Sequence, residues 1–177
     1  HFLHAGTVWT HGHSRVVPTT ESMAKRPFGD YGVNKAAIEA YLLREAKVNG
    51  FPATIFHPGH IVGPGWRIVN PQGNFNPNIF RALQGGDTVK IPHFGVETVH
   101  HIHASDLALL VMQALENWSG AVGESFHAVT SAAVTLRGYA EEMAAWFGQT
   151  PNLEFVPWAE WEAGVSEADA NATREHI

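Results

Sequence analysis

The sequence of 177 residues has no cysteine, which excludes disulfide bonds, thiolate nucleophiles and zinc sites built on thiolates. Its 11 Lys and Arg residues are outnumbered by 17 Asp and Glu residues, so we expect no nucleic-acid partner, because phosphate binding requires a basic surface. The longest apolar run, at 107–115, is much shorter than the roughly 20 residues that span a membrane. No N-terminal signal peptide is recognisable, so we expect a cytoplasmic protein with no membrane partner.

The sequence does contain enough apolar residues for a core, since 45% of them are hydrophobic. Strand and helix patterns alternate along the chain. HFLHAGTVW at the N-terminus resembles the end of a strand, and the further strand patterns lie at 53–56, 88–91, 98–103, 124–129 and 153–156. This alternation predicts an α/β protein whose sheet is covered by helices on both faces.

Four stretches have helix patterns with recognisable ends. Residues 31–48 carry small and apolar residues and are followed by a glycine stop. Pro77 suits the first turn of a short helix that ends at a glycine pair. Ser105 and Thr135 are the predicted starting residues of two further helices.

The helix pattern at 31–48 places Tyr31 four residues before Lys35, so that a phenol and an ammonium share one face. A phenol has a reference pKa of about 10, and a general acid or base works best near the operating pH. A nearby ammonium stabilises the phenolate form, which favours a role in proton transfer. The alternative is a surface pair without function, because Tyr and Lys are common at this spacing.

Four stretches, HAGTVW, YGVNK, GFPATIFHPGHIVGPG and TVHHIHASDLA, follow one another in an order that resembles the extended short-chain dehydrogenase/reductase family, the NAD-dependent epimerases and dehydratases. The resemblance covers about residues 1–160. It implies an α/β fold that contains the second half of a Rossmann-like doubly wound parallel sheet and a small α/β substrate lobe. It also implies NAD or NADP as cofactor and a small molecule as substrate.

The resemblance divides the chain into four segments. Residues 1–64 would form the C-terminal part of the NAD(P)-binding domain, and residues 98–130 would return to its sheet. Residues 65–97 would leave the core to form part of the substrate lobe, as the many Gly, Pro and Asn residues of 64–78 also indicate. Residues 131–177 would supply the rest of the lobe, which we expect to be truncated.

The family's catalytic roles can be carried over to matching positions. Tyr31 would be the catalytic acid/base, and Lys35 would bind the ribose hydroxyls of the nicotinamide and stabilise the phenolate. The family also has paired serines at the end of the preceding strand, but this sequence has His4 and Ala5 there. Thr7 is therefore the predicted hydroxyl that orients the reacting oxygen.

Weaker candidates for that hydroxyl are Thr10 and Ser14, and Thr7 itself could be an ordinary strand residue. A second group lies at the end of strand 53–56, where ligands bind in open α/β sheets. There Pro58 and Gly59 would let the backbone pass close to the nicotinamide, and His60 would reach cofactor or substrate. The alternatives are a simple chain turn and a loop histidine, and His57 is predicted to support structure.

Two further groups of residues have structural alternatives. His101 and His103 alternate onto one strand face, as zinc ligands can, but no third ligand has a suitable spacing, so we expect no functional metal site. The predicted lobe contains cations that could contact a phosphate and aromatics that could line a pocket, although solvated charges and core packing are the default interpretations. These residues are Arg67, Arg81 and Lys90, and Trp66, Phe75, Phe80 and Phe94.

A glycine-rich dinucleotide fingerprint does not occur in this sequence, and in the resembled family it lies upstream of every stretch matched here. We therefore expect the chain to be the C-terminal portion of such an enzyme, with doubtful activity by itself. The helix that carries Tyr31 is a frequent dimer face in that family, which suggests a homodimer. The alternatives are an NAD(P)H-dependent carbonyl reductase of the same fold, a non-catalytic binding protein that retains the fold, and, least favoured, a histidine-based metal hydrolase.

Overall fold

The computed structural model describes all residues from 1 to 177, and strands alternate with helices along most of the chain. The strands are β1 (Phe2–Ala5), β2 (Ala53–Pro58), β3 (His60–Val62), β4 (Val89–Pro92), β5 (Thr98–Val99), β6 (His101–His103), β7 (Ser125–Ala128), β8 (Val134–Thr135) and β9 (Leu153–Val156). The helices are α1 (Gly29–Asn49), α2 (Asn78–Gly85), α3 (Ala104–Glu116), α4 (Trp118–Ala121), α5 (Leu136–Trp146), α6 (Trp158–Ala163) and α7 (Glu167–His176), with a 3-10 helix at Val8–His11. None of these helices has both the length and the apolar character needed to cross a membrane.

The largest sheet is parallel and has the order β1, β2, β7. Strand β2 lies in the middle, and five of its six residues are buried, as expected where both faces of a parallel sheet are covered. The register pairs His4 with Ile55 and His57 with His127. Because all three strands run in the same direction, their carboxyl ends meet at one edge of the sheet.

The chain divides into two compact units. The first unit comprises His1–Gly63 and His101–Thr130, and the second comprises Pro64–His100 and Ser131–Ile177. In the first unit Ile55 packs with Leu42 of α1, whereas the next residue, Phe56, packs with Ala114 of α3. Successive strand residues point to opposite faces, so the helices cover this sheet on both sides.

The second unit has a core of its own, built by the parallel pair β4 and β9, the antiparallel pair β5 and β8, and helices α2 and α5. Its buried residues are Val69, Leu83, Val89, Ile91, Val99, Leu136, Ala140 and Ala144. These positions alternate along β4 and recur every four residues along α5. These are the spacings of residues that share one face of a strand or of a helix.

The structure confirms one predicted helix start and corrects another. Thr135 begins α5, and its hydroxyl accepts the backbone N–H of Gly138 at 3.0 Å. The prediction for Ser105 was wrong, because His103 caps α3 and its Nδ1 accepts the backbone N–H of Ser105 at 3.2 Å. A ring nitrogen thus takes the role that a hydroxyl usually has at this position.

The stretch 98–103 was predicted as one strand, but it forms two. Residues Thr98–Val99 pair with β8 in the second unit, and His101–His103 pair with β3 in the first. Two helices in 157–177, α6 and α7, were not anticipated. In α7 the Ser166 hydroxyl accepts the N–H of Asp169, so a capping signal was present in that part of the sequence.

The polar stretch within 64–78 is buried rather than solvated. Asn70 is fully buried, and its side-chain oxygen accepts the backbone N–H groups of Gln72 at 2.7 Å and Asn74 at 3.3 Å. Its amide nitrogen donates to the Asn74 side chain at 2.6 Å and to the Asn76 carbonyl at 2.9 Å. Side-chain hydrogen bonds therefore take the place of a strand ladder and allow an irregular backbone to be buried.

Replacing Asn70 by Ala should lower the free energy of unfolding by about 3 kcal/mol, because several buried polar groups lose their partner at once. Chemical denaturation measures this change. Asn152→Ala is the matched control, since Asn152 is exposed and makes a single side-chain bond, to Thr88. We expect the control to cost less than about 1 kcal/mol. Equal effects of the two substitutions would contradict the role assigned to the Asn70 network.

Candidate active site

The Tyr31 and Lys35 side chains meet at the carboxyl end of β1. Both residues lie in the first two turns of α1, and the Lys35 Nζ is 5.7 Å from the centre of the Tyr31 ring. The ammonium donates to the backbone carbonyl of Ala5, the last residue of β1, at 2.6 Å. Tyr31 is 52% exposed. Its ring packs edge to face with the Trp9 ring, and the two ring centroids are 5.6 Å apart. A phenol is thus held beside an ammonium and remains accessible.

Thr7 lies two residues beyond the end of β1 and caps the 3-10 helix that follows. Its side-chain oxygen accepts the backbone N–H of Trp9 at 3.3 Å, and the residue is buried. The two weaker candidates are engaged elsewhere: the Thr10 hydroxyl donates to the Thr7 carbonyl at 3.0 Å, and the Ser14 hydroxyl accepts from Thr19 at 3.0 Å. Of the three hydroxyls, that of Thr7 is closest in sequence to the Ala5 carbonyl.

The stretch around Gly59 is a junction between two strands rather than an irregular loop. Pro58 ends β2, and the backbone N–H of Gly59 donates to the Ala128 carbonyl at 3.1 Å. His60 begins β3, pairs with His101 across that ladder, and has its ring centre 6.0 Å from the centre of the His101 ring. Pro58, Gly59 and His60 therefore lie where the central strand of the sheet ends.

A buried carboxylate that the sequence analysis did not identify lies under this edge. Glu39 of α1 is 3% exposed, and its side chain accepts from the Nε2 of the fully buried His57 at 2.8 Å. The ammonium of Lys25 lies 3.3 Å from the other carboxylate oxygen. The available signals were an acidic residue on the same helix face as Leu42 and Leu43, and a histidine near the end of a buried strand.

The electrostatics of this group follow from burial and from its partners. Burial by itself would raise the pKa of Glu39, but the hydrogen bond from His57 and the Lys25 ammonium outweigh it, so that the pKa is lowered and the carboxylate stays charged. Burial and the Lys35 ammonium lower the pKa of His4, whose Nε2 is buried without a hydrogen-bond partner. His4 is thus neutral near pH 7 and adds no charge beside the pair of Tyr31 and Lys35.

Two more histidines complete a cluster around His57. The Nε2 atoms of His11 and His127 are 2.9 Å apart, and Lys25 Nζ is also 2.9 Å from the Nε2 of His11. Burial and the Lys25 ammonium lower the pKa of His11 to about 4, and burial lowers the pKa of His127. Because these pKa values are lowered, the imidazoles of His11 and His127 are neutral near pH 7. A Glu21 carboxylate oxygen accepts the backbone N–H of His127 at 2.8 Å.

A glycine after the 3-10 helix allows the chain to turn back toward this cluster. Gly12 has φ 68°, and a Cβ atom at this position would lie 2.0 Å from the backbone oxygen of Arg26. The backbone N–H of Arg26 in turn donates to the Thr10 carbonyl at 3.1 Å. Only glycine fits both the left-handed backbone and this close approach, which positions Lys25 beside His11.

Most of the charged and aromatic residues that were candidates for substrate binding in the second unit contact other side chains. Lys90 pairs with Glu160 at 3.0 Å, and the Arg67 guanidinium lies 4.9 Å from the centre of the Phe75 ring. Arg81 donates to the side chain of Asn78 at 2.8 Å. Phe75 packs against the core of the second unit and Phe80 lies 6.2 Å from Tyr139, whereas Trp66 and Phe94 are exposed.

Comparison with known proteins finds similarity to one family. The model of the NAD dependent epimerase/dehydratase family matches residues 1–128. A curated protein named UDP-glucose 4-epimerase, from Streptomyces lividans, is 30% identical over an alignment of 115 residues, and the match covers 59% of this chain and 34% of that protein. The chain thus spans about a third of the length of this relative.

Solved structures share the fold at lower sequence identity. The structure of RMD from Pseudomonas aeruginosa complexed with NADPH has a TM-score of 0.69 at 18% identity, over 88% of this chain and 54% of that one. UDP-glucuronic acid 4-epimerase from Bacillus cereus, in complex with UDP-glucuronic acid and NAD, has a TM-score of 0.66 at 15% identity. That match covers 99% of this chain and 62% of that one. These similarities show an α/β architecture like that of Rossmann-type enzymes.

Replacing Glu39 by Gln should lower the free energy of unfolding by about 3 kcal/mol, because it leaves Lys25 and His57 without the carboxylate that both contact. Glu45→Gln is the matched control on the same helix, since Glu45 contacts only the more exposed Arg44 and Asn49 side chains. We expect it to cost less than about 1 kcal/mol. Denaturation of both variants measures the difference, and a Glu39→Gln variant as stable as the control would contradict the assignment.

Proposed function

The chain belongs to the NAD dependent epimerase/dehydratase family, and from this premise we propose that its protein transfers hydride between NAD or NADP and a sugar hydroxyl or carbonyl, with Tyr31 as acid/base. The observation that carries the proposal is the Lys35 ammonium held beside the exposed Tyr31 phenol at the end of β1. A nucleotide sugar is the proposed substrate class, because the curated relative is named UDP-glucose 4-epimerase.

The residues at this edge fit a nicotinamide cofactor. The Lys35 ammonium has three N–H donors, and the Ala5 carbonyl accepts one of them at 2.6 Å. Two donors remain for the ribose hydroxyls of a cofactor bound beyond the carboxyl ends of the strands, where ligands bind in open α/β sheets. Pro58, Gly59 and His60 lie at that edge and would contact the nicotinamide.

When bound, the nicotinamide accepts or supplies the hydride. Tyr31 would take the proton from the substrate hydroxyl as hydride leaves its carbon, or return a proton to the carbonyl oxygen in the reverse direction. Lys35 would stabilise the phenolate form of Tyr31 between these two events. Because its position is fixed by a backbone oxygen, this ammonium needs no reorganisation during proton transfer.

Thr7 is the proposed hydroxyl that orients the reacting oxygen. Its oxygen accepts the Trp9 N–H, so its own proton remains available to a substrate oxygen. His4 and Ala5 supply no hydroxyl for this role, because Ala5 has only a methyl group and His4 has an imidazole. Thr7 is therefore the hydroxyl best placed by the backbone to replace the missing serines.

A homodimer is also proposed. Helix α1 exposes the apolar side chains of Val33, Ile38 and Tyr41 to solvent. Exposed apolar patches of this kind are typical of protein–protein interfaces. The same helix carries Tyr31 and Lys35, so a second copy on this helix would lie close to the proposed proton-transfer pair.

Replacing Tyr31 by Phe should reduce turnover at least about 100-fold, because the acid/base is removed, and should leave cofactor affinity nearly unchanged. Turnover is measured on a panel of nucleotide sugars headed by UDP-glucose, in the protein that carries this chain, and cofactor affinity by fluorescence titration with NADH and NADPH. Tyr41→Phe is the matched control on the same helix and should retain full turnover. Wild-type turnover in Tyr31→Phe would contradict the proposed role.

The same assay distinguishes an epimerase or dehydratase from a simple reductase. The first two chemistries regenerate their cofactor in each cycle, so absorbance of the reduced nicotinamide should show no net change while the sugar product accumulates. Steady consumption of NADH or NADPH on a ketone substrate would instead identify a carbonyl reductase. Cofactor binding without turnover on the whole panel would favour a non-catalytic protein.

A further inference from the structure

His11, His57 and His127 form a buried cluster whose hydrogen bonds are incomplete. Lys25 can only donate, so the His11 Nε2 that it contacts must accept, and the proton of the neutral ring then lies on Nδ1. This Nδ1 is buried without a partner, as is the Nδ1 of His57. The His127 Nε2 lies 2.9 Å from the same His11 Nε2 and competes with Lys25 for its single lone pair.

We propose that His11, His57 and His127 bind a divalent transition-metal ion, with Zn²⁺ as the best match. One ring nitrogen of each residue lies within 4.8 Å of the corresponding atoms of the other two, and two of the rings are buried. Ligand atoms around a tetrahedral zinc ion stand about 3.4 Å apart, so small ring rotations are sufficient to close the site. This proposal replaces the sequence-based expectation of no metal site.

Glu39 would orient one ligand. Its carboxylate holds the Nε2–H of His57 at 2.8 Å, which leaves Nδ1 of that ring with its lone pair directed elsewhere. A carboxylate behind a ligating histidine is the usual arrangement in zinc sites, where it fixes the tautomer and raises ligand basicity. A metal at Nδ1 would give this buried nitrogen the partner that it lacks.

A cation of the protein itself already contacts the cluster, because the Lys25 ammonium lies 2.9 Å from the His11 Nε2. Lys25 would have to give up the His11 lone pair, and it can do so because it is partly exposed and also pairs with Glu39. Lys25 therefore competes with the metal rather than forming part of the site.

A carboxylate and a route of entry lie beside the cluster. A Glu21 carboxylate oxygen is 4.0 Å from the Nδ1 of His127, the ring nitrogen other than the Nε2 that faces His11. A pocket at the surface of the first unit, lined by His11, His13, Met23 and Arg26 among others, gives an ion access to His11. The bound ion would tie the 3-10 helix to β2 and β7, so its role would be structural.

The test uses untagged protein freed of metal with a chelator and titrated with Zn²⁺ by calorimetry and with Co²⁺ by visible absorption. We expect one equivalent of Zn²⁺ to bind in the micromolar range or tighter, and Co²⁺ to give the intense bands of a tetrahedral or five-coordinate site. His127→Gln should weaken Zn²⁺ binding about 100-fold, since a ligand is lost. Lys25→Met should strengthen it, because the competing ammonium is removed.

His93→Gln is the matched control, because His93 is exposed, pairs with Glu97 and lies in the second unit, away from the cluster and its pocket. It should bind zinc like the wild type. Circular dichroism establishes that each variant is folded, and the Lys25→Met result does not depend on removing a buried ligand. Absence of stoichiometric binding, unchanged binding in His127→Gln, or an equal loss in His93→Gln would each overturn the proposal.

Discussion

The parallel alignment of β1, β2 and β7 is the constraint on which the rest of the first unit depends. It brings three carboxyl ends to one edge, so that the Ala5 carbonyl, Pro58 and His127 end up near one another although they are distant in sequence. The Lys35 ammonium is fixed against the first of these ends and the histidine cluster spans the other two. Both proposed functions of this chain therefore arise from one backbone arrangement rather than from separate motifs.

The same arrangement buries polar side chains between the sheet and its helices. A parallel sheet covered on both faces leaves little water for polar side chains, yet Glu39, His57 and His11 lie there. Their burial is tolerated because the carboxylate is surrounded by a ring N–H and an ammonium, so each charge has a partner of opposite sign. Where the partners do not suffice, the Nδ1 atoms of His11 and His57 are buried without a hydrogen bond.

Much of the first unit could be predicted from its sequence, because apolar periodicity and glycine stops are local signals. The pair of Tyr31 and Lys35 followed from helical spacing, and in the second unit helix α5 followed from its Thr135 cap. What could not be predicted depends on contacts between distant residues. His11, His57 and His127 come from a 3-10 helix and two strands, and no spacing in the sequence indicates that they meet. The burial of Asn70 within the stretch 64–78 was not predicted for a related reason, since a polar loop becomes buried only when its own side chains replace water.

The partner that fixes Lys35 is a main-chain oxygen, and this has a consequence for how the sequence can vary. A carbonyl is present whatever residue stands at position 5, so a substitution there changes the chemistry of the neighbouring side chains without moving the ammonium. His4 and Ala5 can therefore stand at the end of β1, where paired serines were expected, while the position of the Lys35 ammonium is preserved. The proposed proton-transfer pair and the strand that supports it can thus vary in sequence independently.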